Sequence, residues 1–497
     1  MAGRTPKRKV AQDTIIVFIL FLAAAFFSYL FRIILAKNLS LKDYGLFFAI
    51  VAFLGIINIF RDLGIGQSAM YYIPRFFARN QDSKLKNYLD KILRVELLTS
   101  ALSMLVIIAL ADFLAQNYFR YGSSMTIILF AVAYFFNSIE LTIQILFNAF
   151  QNQKIYAIHN LLRTLLILLF AILISFTTYG DNVNFYVSAQ LLAYFLIMLA
   201  FGLIFYRKVY PKKITKSKNS IPFKELFMFG LIASGSQLCY FFITTTDTVL
   251  LTYIHGLESV GLYNAVIPIV TLLLYLSMAL STVITPRVSE LVAQKKFNDI
   301  SFLWEKSIKY VLMATLPLIG LIVLYPDLIL RIMFGESFVA ASNALVILAV
   351  GIIFFGLSQI NMSFLLSIIG PKKNLIIYAI ATIVNIVLNL ILIPKYSIDG
   401  AAIATIISYV VLFVISTMML LRMIKVKIQV WHLILMGISA LAYILLVSYL
   451  KDAFDMPIFL ELSIIMILSG MIYVLLLFGL RIVTIEEIRD MIRAALK

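Results

Sequence analysis

The chain has 497 residues, 63% hydrophobic and only 13% charged, where soluble domains run at about 45–50% and about 25%. Its 41 Lys and Arg against 24 Asp and Glu leave a formal net charge of +17. So few charges cannot clothe a water-soluble fold of this size, and lipid must be the solvent. The apolar content, the single cysteine and the lack of a sustained heptad also exclude disorder, a disulfide scaffold and a coiled coil.

Apolar runs long enough to cross about 30 Å of hydrocarbon lie near 14–36, 44–64, 92–116, 124–150, 155–178, 183–206, 226–254, 260–285, 307–330, 340–368, 374–394, 399–421, 430–450 and 457–480. They predict an all-α polytopic membrane protein with about fourteen transmembrane helices. The runs are continuous and rarely alternate, which argues against strands. The first follows Arg4, Lys7, Arg8 and Lys9 and is too long for a signal-peptide core, so it is expected to remain as a span. Cys239 sits inside an apolar run and reads as a small buried hydrophobe.

With the N-terminus inside, this threading puts 32 Lys and Arg in inward segments and six in outward loops (Lys37, Lys42, Arg120, Arg331, Lys395 and Lys451). The bias predicts a multi-pass protein of the cell membrane with both termini cytoplasmic. Topology and anionic headgroups account for the positive charge, so no nucleic-acid partner is implied. The predicted organisation is an N-terminal six-helix bundle over 1–206, a cytoplasmic basic linker over 207–225, and a C-terminal six-helix bundle over 226–425. Two additional spans follow in 430–480, then an amphipathic cytoplasmic tail over 484–497. In that tail Thr484 and Glu487 have capping-box spacing, and Ile485, Ile488, Ile492 and Leu496 share one face.

The two sides of the basic linker resemble each other. Between the first two spans the chain reads LAKNLSLKDYGLFFAIV, and between the seventh and eighth LTYIHGLESVGLYNAVI. Leu35, Leu41, Gly45, Leu46 and Ala49 match Leu251, Leu257, Gly261, Leu262 and Ala265 without a gap. Pro74-Arg75 then matches Pro286-Arg287, Phe135-Phe136 matches Phe354-Phe355, and Lys154 matches Lys373. An even number of spans per unit predicts parallel repeats related by an axis along the membrane normal, with a midplane cavity between them.

Polar side chains at bilayer depth are costly and usually face a partner or a wet cavity. The fourth span carries Asn137, Glu140, Gln144 and Asn148 within about 80° of one helix face. The tenth carries Ser358, Gln359, Asn361 and Ser363, with Gln359 aligned to Glu140. Such stripes serve either helix–helix hydrogen bonding or cavity lining. Asp247 sits among Thr244, Thr245, Thr246 and Thr248 in the seventh span. Arg32, near the outer interface, and Arg163 with His159, near the inner one, could snorkel or face a cavity. Arg61 and Asp62 read as a local pair, and Asn385 with Asn389 forms a weaker stripe on the eleventh span. Pro268 and Pro317 are expected to kink the eighth and ninth spans.

Enzyme motifs are absent from the sequence. It contains no G-x-x-x-x-G-K-[ST] loop and no H-E-x-x-H, and its three histidines (His159, His255 and His432) are scattered, so no metal site is expected. A polytopic membrane glycan transferase or ligase would need a large outward loop with acidic or His residues, and the short outward loops here make it the least favoured alternative.

Over about its first twelve spans the chain resembles the polysaccharide transporter (O-antigen flippase-like) branch of the multidrug/oligosaccharidyl-lipid/polysaccharide flippase superfamily. The residues that carry this are Asp43-Tyr44-Gly45-Leu46-Phe47, Asp62-Leu63-Gly64, Asp247 before Val260-Gly261-Leu262-Tyr263, Thr285-Pro286-Arg287, and Ile393-Pro394 before Asp399-Gly400-Ala401-Ala402. The resemblance implies alternating access by two bundles and a polyprenyl-(pyro)phosphate-linked oligosaccharide as cargo. It implies membrane lipids as surroundings, and glycan polymerase or glycosyltransferases as protein partners. A cation-coupled multidrug exporter of the same superfamily is the alternative.

For the flippase cargo a fixed cation is needed, because an unpaired charge is expensive in lipid. The expected path comprises Arg32, Asn137, Glu140, Gln144, Asp247, Gln359 and Asn361, with Arg163 and Asn385 next. Arg32 would hold phosphate oxygens, and Asp247 would either hold Arg32 between cycles or bind a coupling ion. No cofactor is expected beyond a coupling Na+ or H+.

Overall fold

The structure, a computed structural model, describes residues 6–62, 64–79, 81–211, 223–424, 430–450, 458–480 and 482. Its helices in chain order are α1 (Pro6–Asn38), α2 (Leu41–Asp62), α3 (Ile65–Ala78), α4 (Asp82–Ala109), α5 (Ala111–Phe113), α6 (Met125–Ala149), α7 (Gln153–Ser175), α8 (Val183–Lys208), α9 (Phe223–Ile254), α10 (Leu257–Leu272), α11 (Tyr275–Ala293), α12 (Phe297–Leu324), α13 (Pro326–Met333), α14 (Ser342–Ile369), α15 (Pro371–Leu421), α16 (Val430–Leu450) and α17 (Ile458–Gly479). A π-helical turn covers Leu114–Tyr118 and a 3-10 segment Glu336–Ala341. Helices satisfy their own backbone, which hydrocarbon demands.

All fourteen predicted runs fall on these helices, α10 with α11 serving as one run and α15 as two. Among the described residues nine helices are long and apolar enough to cross a membrane, or ten with the bent α10–α11 pair. The 51-residue α15 is broken at Ser397, whose φ is 49°, between the eleventh and twelfth runs. Three residues on, a Cβ at Gly400 would lie 2.3 Å from the Leu392 carbonyl oxygen, so only glycine fits the turn. On α4, Leu98, Leu102 and Leu105 are all well exposed, as a lipid-facing surface requires.

The packing divides into two compact units, Met1–Ala265 and Val266–Lys497. In the first, α3 is a short helix unforeseen as a separate element. It starts after Gly64 (φ 75°) and buries Ile65, Ala69, Ile73 and Phe76 along one face. That face joins Tyr88 and Leu89 of α4, Phe147 of α6, and Phe201 and Phe205 of α8 in one core. In the second unit, α14 packs along both halves of α15 and against α11 and α12. A satellite core on α16 and α17 gathers Met436, Tyr443, Tyr473 and Leu477 against α12, and the Tyr473 hydroxyl donates to the Met313 carbonyl at 3.0 Å. Residues 212–222 of the basic linker and the tail 484–497 lie outside the described residues.

The turn glycines of the repeat meet within the first unit. A Cβ on Gly45 would sit 1.8 Å from the Leu257 carbonyl oxygen, and one on Gly261 would sit 2.6 Å from that of Leu41. Because the repeat equates Leu41 with Leu257 and Gly45 with Gly261, the contact is reciprocal. That is the pattern a local two-fold axis produces.

Candidate functional site

The first unit encloses a cavity of about 380 Å³ walled by α1, α2, α6, α7 and α8. Two arginines line it, Arg32 from α1 and Arg163 from α7, beside Asn58, Asn137, Gln190 and Tyr194. The Arg32 guanidinium lies 4.3 Å from the centroid of the Phe48 ring and donates to the Asn264 carbonyl at 3.2 Å. A ring face and a carbonyl suit a cation at this depth without neutralising it.

Arg163 is positioned from its own helix: Nη2 donates to Asn160 Oδ1 at 2.7 Å. Its Nη1 lies 3.6 Å from Oε2 of Glu140, a fully buried carboxylate on α6. The other Glu140 oxygen is 3.1 Å from His159 Nε2. Neither carboxylate oxygen and neither ring nitrogen makes a hydrogen bond, so these are charge and dipole contacts outside hydrogen-bonding geometry. Arg163 therefore stands between a buried carboxylate and the cavity, with 21% of its side chain exposed.

A second cavity, of about 660 Å³, shares Asn58 and Leu141 with the first. It is lined by Arg61, Asp62, Gln67, Asn148, Ser234 and Gln237, with Gln67 donating to Gln237 at 3.0 Å. Here one expectation is refined: Arg61 stays in electrostatic range of Asp62, but its close ion pair is made with Glu96 of α4. Arg61 also donates to Asn58 Oδ1 from Nη2 at 2.7 Å and to Ser100 at 3.3 Å. The physical reason is that Glu96 is almost wholly buried, and a buried carboxylate without a cation is strongly unfavourable. Asp62 instead accepts from the Gly66 backbone at the start of α3, at 3.4 Å.

The fourth-span stripe is thus divided. Asn137 lines the first cavity and Asn148 the second, while Glu140 and Gln144 are buried in the packing. Asp247 on α9 is buried and accepts from the Tyr263 hydroxyl at 2.5 Å.

In the second unit Asn361 is fully buried. Its Oδ1 accepts from Trp304 Nε1 at 2.7 Å, and its Nδ2 donates to Ser416 at 3.1 Å and Thr417 at 2.8 Å. Asn385 donates to Thr405 at 3.4 Å and accepts from Asn389 at 3.0 Å. Gln359 is half-buried, and its carbonyl accepts from Ser363 at 3.0 Å. Sequence reasoning missed Asn58, Gln190, Tyr194 and Glu96. Only Glu96 left a clear signal, as a carboxylate inside the third apolar run. Among the described residues no cluster of His, Cys, Asp and Glu could hold a metal ion.

The family described as polysaccharide biosynthesis protein matches residues 10–292, and the one described as MatE matches residues 233–391. An uncharacterized membrane protein of Methanocaldococcus jannaschii is 28% identical over 96% of both chains. The Haloferax volcanii protein named "Probable low-salt glycan biosynthesis flippase Agl15" is 27% identical over 41% of each. Among solved structures, the lipid II flippase MurJ in an inward closed conformation superposes with a TM-score of 0.71 at 18% identity, over 93% of this chain and 98% of that one. That likeness shows a common fold.

Proposed function

The chain belongs to the polysaccharide biosynthesis protein family, within the multidrug/oligosaccharidyl-lipid/polysaccharide superfamily of transporters, and from that premise we propose that it flips a polyprenyl-(pyro)phosphate-linked oligosaccharide from the cytoplasmic to the outer leaflet by alternating access. The observation that carries this reading is the cavity lined by Arg32 and Arg163 inside a unit of apolar helices. Two fixed cations at this depth suit an anionic headgroup, and a guanidinium binds two phosphate oxygens at once. Asn58, Asn137 and Gln190 supply adaptable hydrogen bonds for sugar hydroxyls. In this reading both termini are cytoplasmic, and the bundles 1–206 and 226–425 move as the alternating bodies.

The test is glycan export in cells carrying Arg32→Ala, Arg32→Lys, Arg163→Ala and Asp247→Asn at matched protein levels. Loss of export in both alanine variants, with partial retention by Arg32→Lys, is expected. Full export by both alanine variants would refute the cationic path. A cation-coupled drug exporter is the second reading, favoured by the MatE match over residues 233–391 and by the buried Asp247. It requires drug efflux that falls in Asp247→Asn while glycan export is unaffected.

A further inference from the structure

Glu140 is the least comfortable group in the first unit. Its side chain is wholly buried, neither oxygen accepts a hydrogen bond, and among the described residues the cation beside it is the Arg163 guanidinium at 3.6 Å. The titratable groups facing it are His159 and Arg163 from α7, and Tyr194 from α8, which lies in electrostatic range of both Arg163 and Glu140. The same Arg163 lines the 380 Å³ cavity together with Arg32. One guanidinium therefore serves two claimants, a buried carboxylate on one side and whatever anion enters on the other.

A buried carboxylate has two ways to be neutral at this depth: a cation beside it or a proton on it. An anion in the cavity competes for the Arg163 guanidinium and weakens its hold on Glu140. The carboxylate is then left in an apolar wall with the His159 imidazole 3.1 Å away. Uptake of one proton removes that cost.

We propose that anion binding between Arg32 and Arg163 is linked to uptake of one proton at the Glu140–His159 contact, so that a phosphate-type anion and a proton bind the cavity together. This rests on the flippase reading for the identity of the anion, but the linkage is a property of the cavity itself. No bond other than O–H is made: the proton comes from water through the cavity, settles on Glu140, and returns when the anion leaves and Arg163 swings back. Linkage fixes the sign. The bound state carries more protons than the free state, so anion affinity rises as pH falls, by up to about tenfold per pH unit for one proton.

The experiment is titration calorimetry on the purified full-length protein between about pH 5 and 9, with two probes of constant charge. One is sulfate, representing a free inorganic anion; the other is a short-chain prenyl-diphosphate sugar diester, representing a lipid-borne one. Buffers of different ionisation enthalpy report protons taken up per anion bound. The expected result is tighter diester binding at low pH with close to one proton taken up, and sulfate following the same pH slope more weakly. Glu140→Gln removes the competing charge, so its binding should be pH-independent, without proton uptake, and at least as tight as wild type. His159→Gln should keep the slope.

Binding that is lost in Arg32→Ala and Arg163→Ala, yet in wild type neither varies with pH nor takes up a proton, overturns the linkage and leaves the flippase reading standing. A slope lost in His159→Gln but kept in Glu140→Gln also overturns it. Absence of diester binding at every pH overturns the cavity reading and the linkage together. If Glu140→Gln fails to fold, proton uptake by wild type decides alone.

Discussion

The polar stripes of α6 and α14 look alike in sequence and end in opposite physical states. On α6 the stripe runs beside two cavities, and its carboxylate, Glu140, has an arginine and a histidine near it but no hydrogen bond. On α14 the amide of Asn361 is held by a tryptophan and two hydroxyls, each contact of ordinary hydrogen-bond length. A buried polar group whose hydrogen bonds are made fixes a helix interface, whereas an incompletely satisfied charge beside empty space is poised to respond to a ligand. On the proposed reading the first unit would carry the chemistry and the second unit's amides the packing, a contrast that the following variants test.

The largest effect should come from the buried pair Arg61–Glu96 beside the second cavity. Removing one partner, as in Arg61→Met or Glu96→Leu, leaves an uncompensated buried charge and should cost about 3–5 kcal/mol. The double replacement should recover most of that loss, since a matched apolar pair suits this setting. Thermal unfolding in detergent measures it; two small single-variant shifts would mean that water reaches the pair.

Next come the cavity arginines. Arg32→Ala or Arg163→Ala should weaken binding of the diphosphate diester about 10- to 100-fold, the range expected for losing a charged hydrogen-bonding partner. Neither should lower thermal stability as much as Arg61→Met. Arg32→Lys should fall between, because an ammonium keeps the charge but loses the fork.

Helix number and order were legible because hydrocarbon imposes one rule on every span, and the apolar runs state it plainly. The short helix α3 was less legible: at 14 residues, with a single apolar face, it is too short to register as a span. At the site, Arg32 and Arg163 could be picked out because a charge is conspicuous in an apolar run, and Asn137 because it opens a stripe of four polar residues on one helix face. Asn58, Gln190 and Tyr194 could not, since no spacing within one helix tells which residues of α2 and α8 turn toward α7. The Arg61–Asp62 expectation was incomplete for the same reason. Adjacency in sequence suggested a partner, but the burial of Glu96 on another helix decided it.

Within the second unit, Asn361→Ala should destabilise by about 1–3 kcal/mol, because the Trp304 indole N–H is left buried without its acceptor. Export per folded molecule should stay at the wild-type level. Reduced export with unchanged unfolding would move Asn361 from packing to path and erase the contrast between the stripes.

The smallest effect is expected at Asn385, and it is the sharpest test of that contrast. Asn385 is fully buried on the first half of α15, with a long 3.4 Å contact to Thr405 and a 3.0 Å contact from Asn389. Side-chain hydrogen bonds between membrane helices average only about 0.6 kcal/mol. A leucine is close in size and finds lipid-like surroundings, so Asn385→Leu should cost about 1 kcal/mol or less, chiefly through the amide of Asn389 losing its acceptor. The companion change Asn389→Leu should then cost less than it does alone, since its amide has already lost the Asn385 acceptor. If Asn385→Leu abolishes glycan export at matched protein levels while barely shifting the unfolding temperature, the amides of α15 are part of the path. Polar residues in both units would then handle the cargo, and the arginine cavity of the first unit would be only one end of it.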